Sequence, residues 1–82
     1  MGRRQDPACH AGMDVRERVG LNLQRLRRDA GLSQEELAHR SGIHQTYLSG
    51  VETGKRNPSI LVLDRIAVAL NVDIEQLLKR PR

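Results

Sequence analysis

The stretch SQEELAHRSGIHQTYLSGVET, Ser33 to Thr53, decides how this chain folds. Its opening residues, Ser33-Gln34-Glu35-Glu36, have the form of a capping box. The serine oxygen receives a backbone N–H of the first turn, and the glutamate three residues on reaches back to the serine amide. Glu35 and Glu36 also sit where the helix dipole favours negative charge. Leu37 and Ala38 supply an inward face, and Gly42 ends the helix in a short turn. A second short helix is predicted from about Gln45 to Thr53, with His44 at its cap. Leu48 and Val51 give it an inner face, while Gln45, Thr46, Ser49 and Gly50 fall on the opposite side.

Working outward, Asp14 and Glu17 have the spacing of another N-cap and its return partner. Val15, Val19, Leu23, Leu26 and Ala30 then recur at helical steps and predict one buried stripe, stopped at Gly31. After Gly54 comes a basic loop, Lys55-Arg56-Asn57-Pro58. Ser59 caps a fourth helix that runs to Leu70, with Ile60, Leu63, Ile66, Ala67 and Leu70 as its core stripe and Asn71 as its stop. Asp73 opens a short fifth helix carrying Ile74, Leu77 and Leu78. Strand patterning and internal repeats are absent, so the expected fold class is all-α with five helices.

Composition bounds the rest. Eighty-two residues make one small domain with a thin core, for which support from a second copy is plausible. That core is aliphatic, because Tyr47 is the sole aromatic residue. Of the 14 basic residues only Lys55 and Lys79 are lysine, and the net charge is +4. An arginine-rich basic surface suits a polyanion, since guanidinium forks match phosphates and guanine edges. Cys9 is the only cysteine, which excludes an internal disulfide and points to a reducing, cytoplasmic setting. His10, His39 and His44 lack metal-ligand spacing, and no cofactor motif or apolar run of membrane length is present. With no nucleophile–base set either, an enzyme is not expected, and neither is a small-molecule ligand.

Three segments are expected: a flexible basic arm over 1–13, a folded domain over 14–79 and a frayed tail over 80–82. Arg3 and Arg4 have the reach of a minor-groove arm, although an idle tail is the simpler reading.

Two short helices joined by a glycine turn form a helix-turn-helix. A helix with compact polar residues at its N-terminal end fits the major groove of DNA and touches base edges there. Gln45 matches adenine through its amide, and Thr46 matches the thymine methyl. Gln34, at the start of the preceding helix, is placed to bridge a phosphate and the second helix. His44 at the cap is a further phosphate candidate.

Leu32-Ser-Gln-Glu-Glu-Leu-Ala38, Gly42-Ile43, Tyr47, Glu52, Gly54-Lys-Arg-Asn-Pro-Ser59 and Ile66-Ala-Val-Ala-Leu70 resemble the lambda-repressor/Cro-like, xenobiotic-response-element family of helix-turn-helix regulators. The resemblance covers about Val15 to Leu78, and Thr46–Glu52 is most similar to the controller proteins of restriction-modification systems. It implies a five-helix repressor-like domain that regulates transcription as a homodimer on a palindromic double-stranded DNA operator. Gln45, Thr46 and Ser49 would contact bases, and Gln34, Tyr47, Lys55, Arg56 and Asn57 phosphates. It also pairs Arg27 with Glu52, tying the first helix to the third. The chain departs from many relatives at Gly50, where a long polar reader is common, and Arg56 is the residue with the length to cover that gap at the bases. Leu61, Val62 and Val68 lie off the core stripe of the fourth helix. Leu61 and Val68, with Ile74 and Leu78, are therefore expected at a two-fold dimer contact. The alternative function is an antitoxin-type DNA-binding protein that also neutralises a partner protein.

Overall fold

The computed structural model describes residues 13–81, and the arm residues 1–12 and Arg82 lie outside the described residues. Five helices follow one another: α1 (Val15–Asp29), α2 (Gln34–Ser41), α3 (Gln45–Glu52), α4 (Ile60–Leu70) and α5 (Glu75–Leu78). The starts are set by side chains. Asp14 and Ser33 each close a complete capping box, with Glu17 and Glu36 as return partners, and the Ser59 oxygen accepts the Val62 N–H. Hydrogen bonds at these two helix starts favour the charged form of a carboxylate. The Ser33 backbone N–H keeps the Glu36 carboxyl below its ordinary pKa, and the Arg16 guanidinium does the same for Asp14. The N-cap of α5 is Ile74 and not the expected Asp73; Asp73 lies one residue earlier and accepts the Glu75 N–H at 3.0 Å. The ends of α2 and α4 turn left-handed at Gly42 (φ 71°) and Asn71 (φ 60°).

Each helix sends one aliphatic side chain to full burial: Leu23, Leu37, Leu48, Ile66 and Leu77 are all 0% exposed. Each contributes ~1.5–3 kcal/mol relative to exposure in water. Around them pack Val19, Ala38, Val51, Leu63, Ala67 and Leu70, with the Tyr47 ring partly buried against the cluster. The stripes read from periodicity are too long at their ends. Val15 and Ile60, expected in the core, are exposed, and so is Ala30. Val15 and Ile60 are first residues of their helices and Ala30 is a C-cap. The periodic face therefore runs past the turns that neighbouring helices cover. Val62, expected off the stripe, packs against the cluster instead.

Two residues of α1 set how it meets its neighbours. Gly20 lets α1 cross α3 with no intervening side chain, since a Cβ there would lie 2.5 Å from the Glu52 carbonyl oxygen and 2.8 Å from that of Val51. Asn22 is fully buried and donates both amide hydrogens, to the carbonyls of Leu77 (2.9 Å) and Lys79 (2.7 Å). It thereby fixes α5 and the first residue after it against α1. Among the described residues no helix is long and apolar enough to cross a membrane.

The crossing at Gly20 yields the first prediction. Gly20→Ala gains helix propensity but meets backbone, which cannot rotate away. The variant is expected to lose about 2 kcal/mol, the scale of an overpacked core site, and to melt several degrees lower. An unchanged or raised melting temperature would show that α1 and α3 can separate at no cost.

Candidate nucleic-acid interface

The α2–turn–α3 unit presents two different ends. At the N-terminal end of α3, Gln45 and Thr46 are exposed and Ser49 is half-exposed. His44 stands at the cap position and makes no side-chain capping bond. The first-turn N–H groups of α3 thus lack a side-chain acceptor, whereas those of α1, α2 and α4 have one.

The C-terminal end of α3 is closed by a polar network on one carboxylate. Glu52 is 5% exposed. Arg27 grips it in a bidentate pair, Nε to Oε2 at 2.6 Å and Nη2 to Oε1 at 3.2 Å. The carboxylate raises the pKa of the Arg27 guanidinium through the hydrogen bond itself. Arg27 Nη1 also donates to the Leu32 carbonyl at 2.9 Å, which anchors the loop before α2. Gln34 Nε2 donates to Glu52 Oε1 at 3.0 Å, and Gln24 Nε2 donates to the Glu52 backbone carbonyl at 2.8 Å. The expected Arg27–Glu52 pair is present, and α1, α2 and α3 all meet at it. Gln34 uses one amide hydrogen on Glu52 and keeps a second for an outside acceptor.

The loop after α3 folds back over it. Lys55 N and Arg56 N donate to the Gly50 carbonyl at 2.8 and 3.1 Å. The Arg56 side chain lies on the α-carbon of Gly50, where a Cβ would stand 2.5 Å from Arg56 Cγ. Its guanidinium carbon sits 5.7 Å from the centroid of the Tyr47 ring, a cation–π contact. Gly50 is therefore the seat of the Arg56 stem. Lys55, Arg56 and Asn57 are exposed and flank α3.

Gly20, Asn22 and Gln24 went unread from sequence. A glycine in mid-helix, weakening the helix by ~1 kcal/mol, is a signal of close backbone approach. Asn22 stood inside the apolar stripe between Val19 and Leu26, where a polar residue needs a buried partner. Gln24 carried no such mark, because its acceptor lies 28 positions along the chain.

The comparisons with known proteins agree with this geometry. The helix-turn-helix family profile matches residues 23–77. An uncharacterised HTH-type transcriptional regulator of Sinorhizobium fredii, y4dJ, is 51% identical over 65 residues, spanning 79% of this chain and 84% of that protein. The chain belongs to the helix-turn-helix family of transcriptional regulators. The crystal structure of the restriction-modification controller protein C.AhdI from Aeromonas hydrophila superposes with a TM-score of 0.74 at 40% identity, covering 76% of this chain and 94% of that one. The regulator SinR, crystallised in complex with DNA, superposes with a TM-score of 0.71 at 34% identity, covering 74% and 98%. The resemblance read from Leu32 to Leu70 thus holds across the fold and the controller-protein likeness.

The network at Glu52 makes a second prediction. Arg27 and Glu52 side chains are 12% and 3% exposed, so removing one partner strands a largely buried charge. Glu52→Ala is expected to cost about 3 kcal/mol in stability, as for broken buried pairs, whereas an exposed pair would cost under ~1 kcal/mol. Thermal denaturation checks this, and any loss of DNA binding should track it. A variant that binds poorly yet melts like the parent would contradict a positioning role.

Proposed function

We propose that this protein regulates transcription by binding double-stranded DNA sequence-specifically, as a homodimer on a palindromic operator. The observation that carries the reading is the asymmetry of α3. Its reading end exposes Gln45 and Thr46, while its far end is locked by Glu52 to α1 and α2. A rigid helix with a free polar end is what base discrimination in a major groove requires.

In this reading Gln45, Thr46 and Ser49 contact base edges, and Arg56 reaches a base from its seat on Gly50. Gln34 meets a phosphate with its second amide hydrogen and its helix-start N–H. His44, the Tyr47 hydroxyl, Lys55 and Asn57 contact the backbone beside it. Dimerisation is assigned to Leu61 and Val68 on α4, which are 74% and 70% exposed. Ile74 and Leu78 continue that contact, each half-buried against the core with its remaining surface free. Isolated exposed apolar residues are common, but two a heptad apart on one helix face suit a two-fold seam. A dimer so formed sets two copies of α3 ~34 Å apart, one turn of the duplex. The Thr46–Glu52 stretch and the likeness to C.AhdI favour a controller-protein role within this class. In this reading the protein works in the cytoplasm as a DNA-binding regulator and not as an enzyme.

Reading and docking residues separate experimentally. Gln45→Ala is expected to relax discrimination at one base pair per half-site, by ~1–3 kcal/mol, with little change on random DNA. Lys55→Ala should weaken operator and random duplexes alike and lower the salt slope by about one unit per phosphate contact. Equal losses on both DNAs for both variants, measured by titration across salt concentrations, would refute the division.

A further inference from the structure

The chain leaving α5 does not run straight into solvent. Asn22 holds the Lys79 carbonyl, and the following residues lie across the outer side of α1. Between them is a groove of about 570 Å³ lined by Leu21, Arg25, Lys79, Arg80 and Pro81. Three of those five residues are cationic and none is acidic. Among the described residues the only ion pairs are Arg16–Asp14 and Arg27–Glu52, so no described carboxylate pairs with the groove cations. Leu21, 43% exposed, adds an apolar surface together with Pro81.

We infer that this groove docks an acidic segment of a partner protein that carries an apolar side chain. Charge complementarity selects an anion, because three cations line one cleft and none of them has an acidic partner among the described residues. The apolar floor selects a peptide over a nucleic-acid backbone. A phosphodiester is satisfied by cations and N–H donors alone, whereas an acidic peptide with a leucine uses both kinds of wall. The position agrees. Gly20, Gln24 and Arg27 of α1 are turned to α3, Asn22 is turned to α5, and Leu21 and Arg25 lie exposed on the strip between Gln24 and Asn22. The groove is built by a buried side chain, since Asn22 spends both its amide hydrogens on carbonyls of that wall. This surface lies apart from the residues assigned to DNA, and the inference stands whatever DNA sequence α3 reads.

The test uses the full chain and a capped, fluorescein-labelled octapeptide of Asp, Glu and Leu, with a control in which every Leu is replaced by Ser. Fluorescence anisotropy should show binding of the Leu peptide. Affinity should fall about five- to tenfold in the Arg25→Gln/Arg80→Gln double variant, the sum expected of two solvent-facing charge pairs. Leu21→Ser in the protein should remove the preference for the Leu peptide over the Ser control. Neither variant should alter the salt slope of duplex binding. All three substitutions are at exposed positions, and melting curves like the parent's would confirm intact folding. Absence of peptide binding, or binding indifferent to these substitutions, overturns the inference. So does a duplex salt slope that falls by about one unit per removed charge, which would assign the groove to DNA phosphates instead.

Discussion

The structure depends on one buried carboxylate. Glu52 ends the recognition helix, and Arg27 from α1 and Gln34 from α2 both donate to it. Gln24 holds the backbone of the same residue, and Gly20 allows the approach that brings these groups within reach. An ion pair of this kind adds little net stability over an apolar contact, because removing two charges from water offsets their attraction. Its effect is geometric. A forked guanidinium and a carboxylate meet in one orientation, so three helices take a single relative arrangement. The aliphatic core beneath, one fully buried residue from each helix, supplies the stability and is far less demanding about angle.

The same division explains what was legible in the chain. Both capping boxes, the glycine and asparagine stops and the paired short helices were readable because each is encoded within three or four neighbouring residues. The Arg27–Glu52 pair, 25 positions apart, came from resemblance to a family and not from spacing. Periodicity overran at Val15, Ala30 and Ile60 because a stripe records which face is apolar and not how far a neighbouring helix extends. Asn22 bonds to carbonyls 55 and 57 positions away, and its role appears only once α5 is placed against α1. From sequence, Gly50 is a gap in the polar face of α3. The structure shows the space filled from outside the helix by the Arg56 stem, a contact that no local pattern encodes.

These constraints give α1 two faces with separate consequences. One, at Gly20, Gln24 and Arg27, fixes α3 and so sets the direction in which Gln45 and Thr46, the proposed readers, are presented. The other, at Asn22, fixes the chain after α5, and with it the cationic cleft beside Arg25. Partial charge also shapes the docking end. The uncapped start of α3 and the exposed Lys55 and Arg56 leave donors and cations around the polar residues proposed to read bases, where the proposal puts DNA phosphates.

Selection of binding sites from a pool of random duplexes, with the stoichiometry of the selected complexes, tests the central claim most directly. A reader held rigidly by Glu52 and doubled by the α4 contact should enrich one inverted repeat, with half-sites about one helical turn apart and two chains per duplex. A pool that stays random through successive rounds, with binding that depends only on salt, would contradict the account.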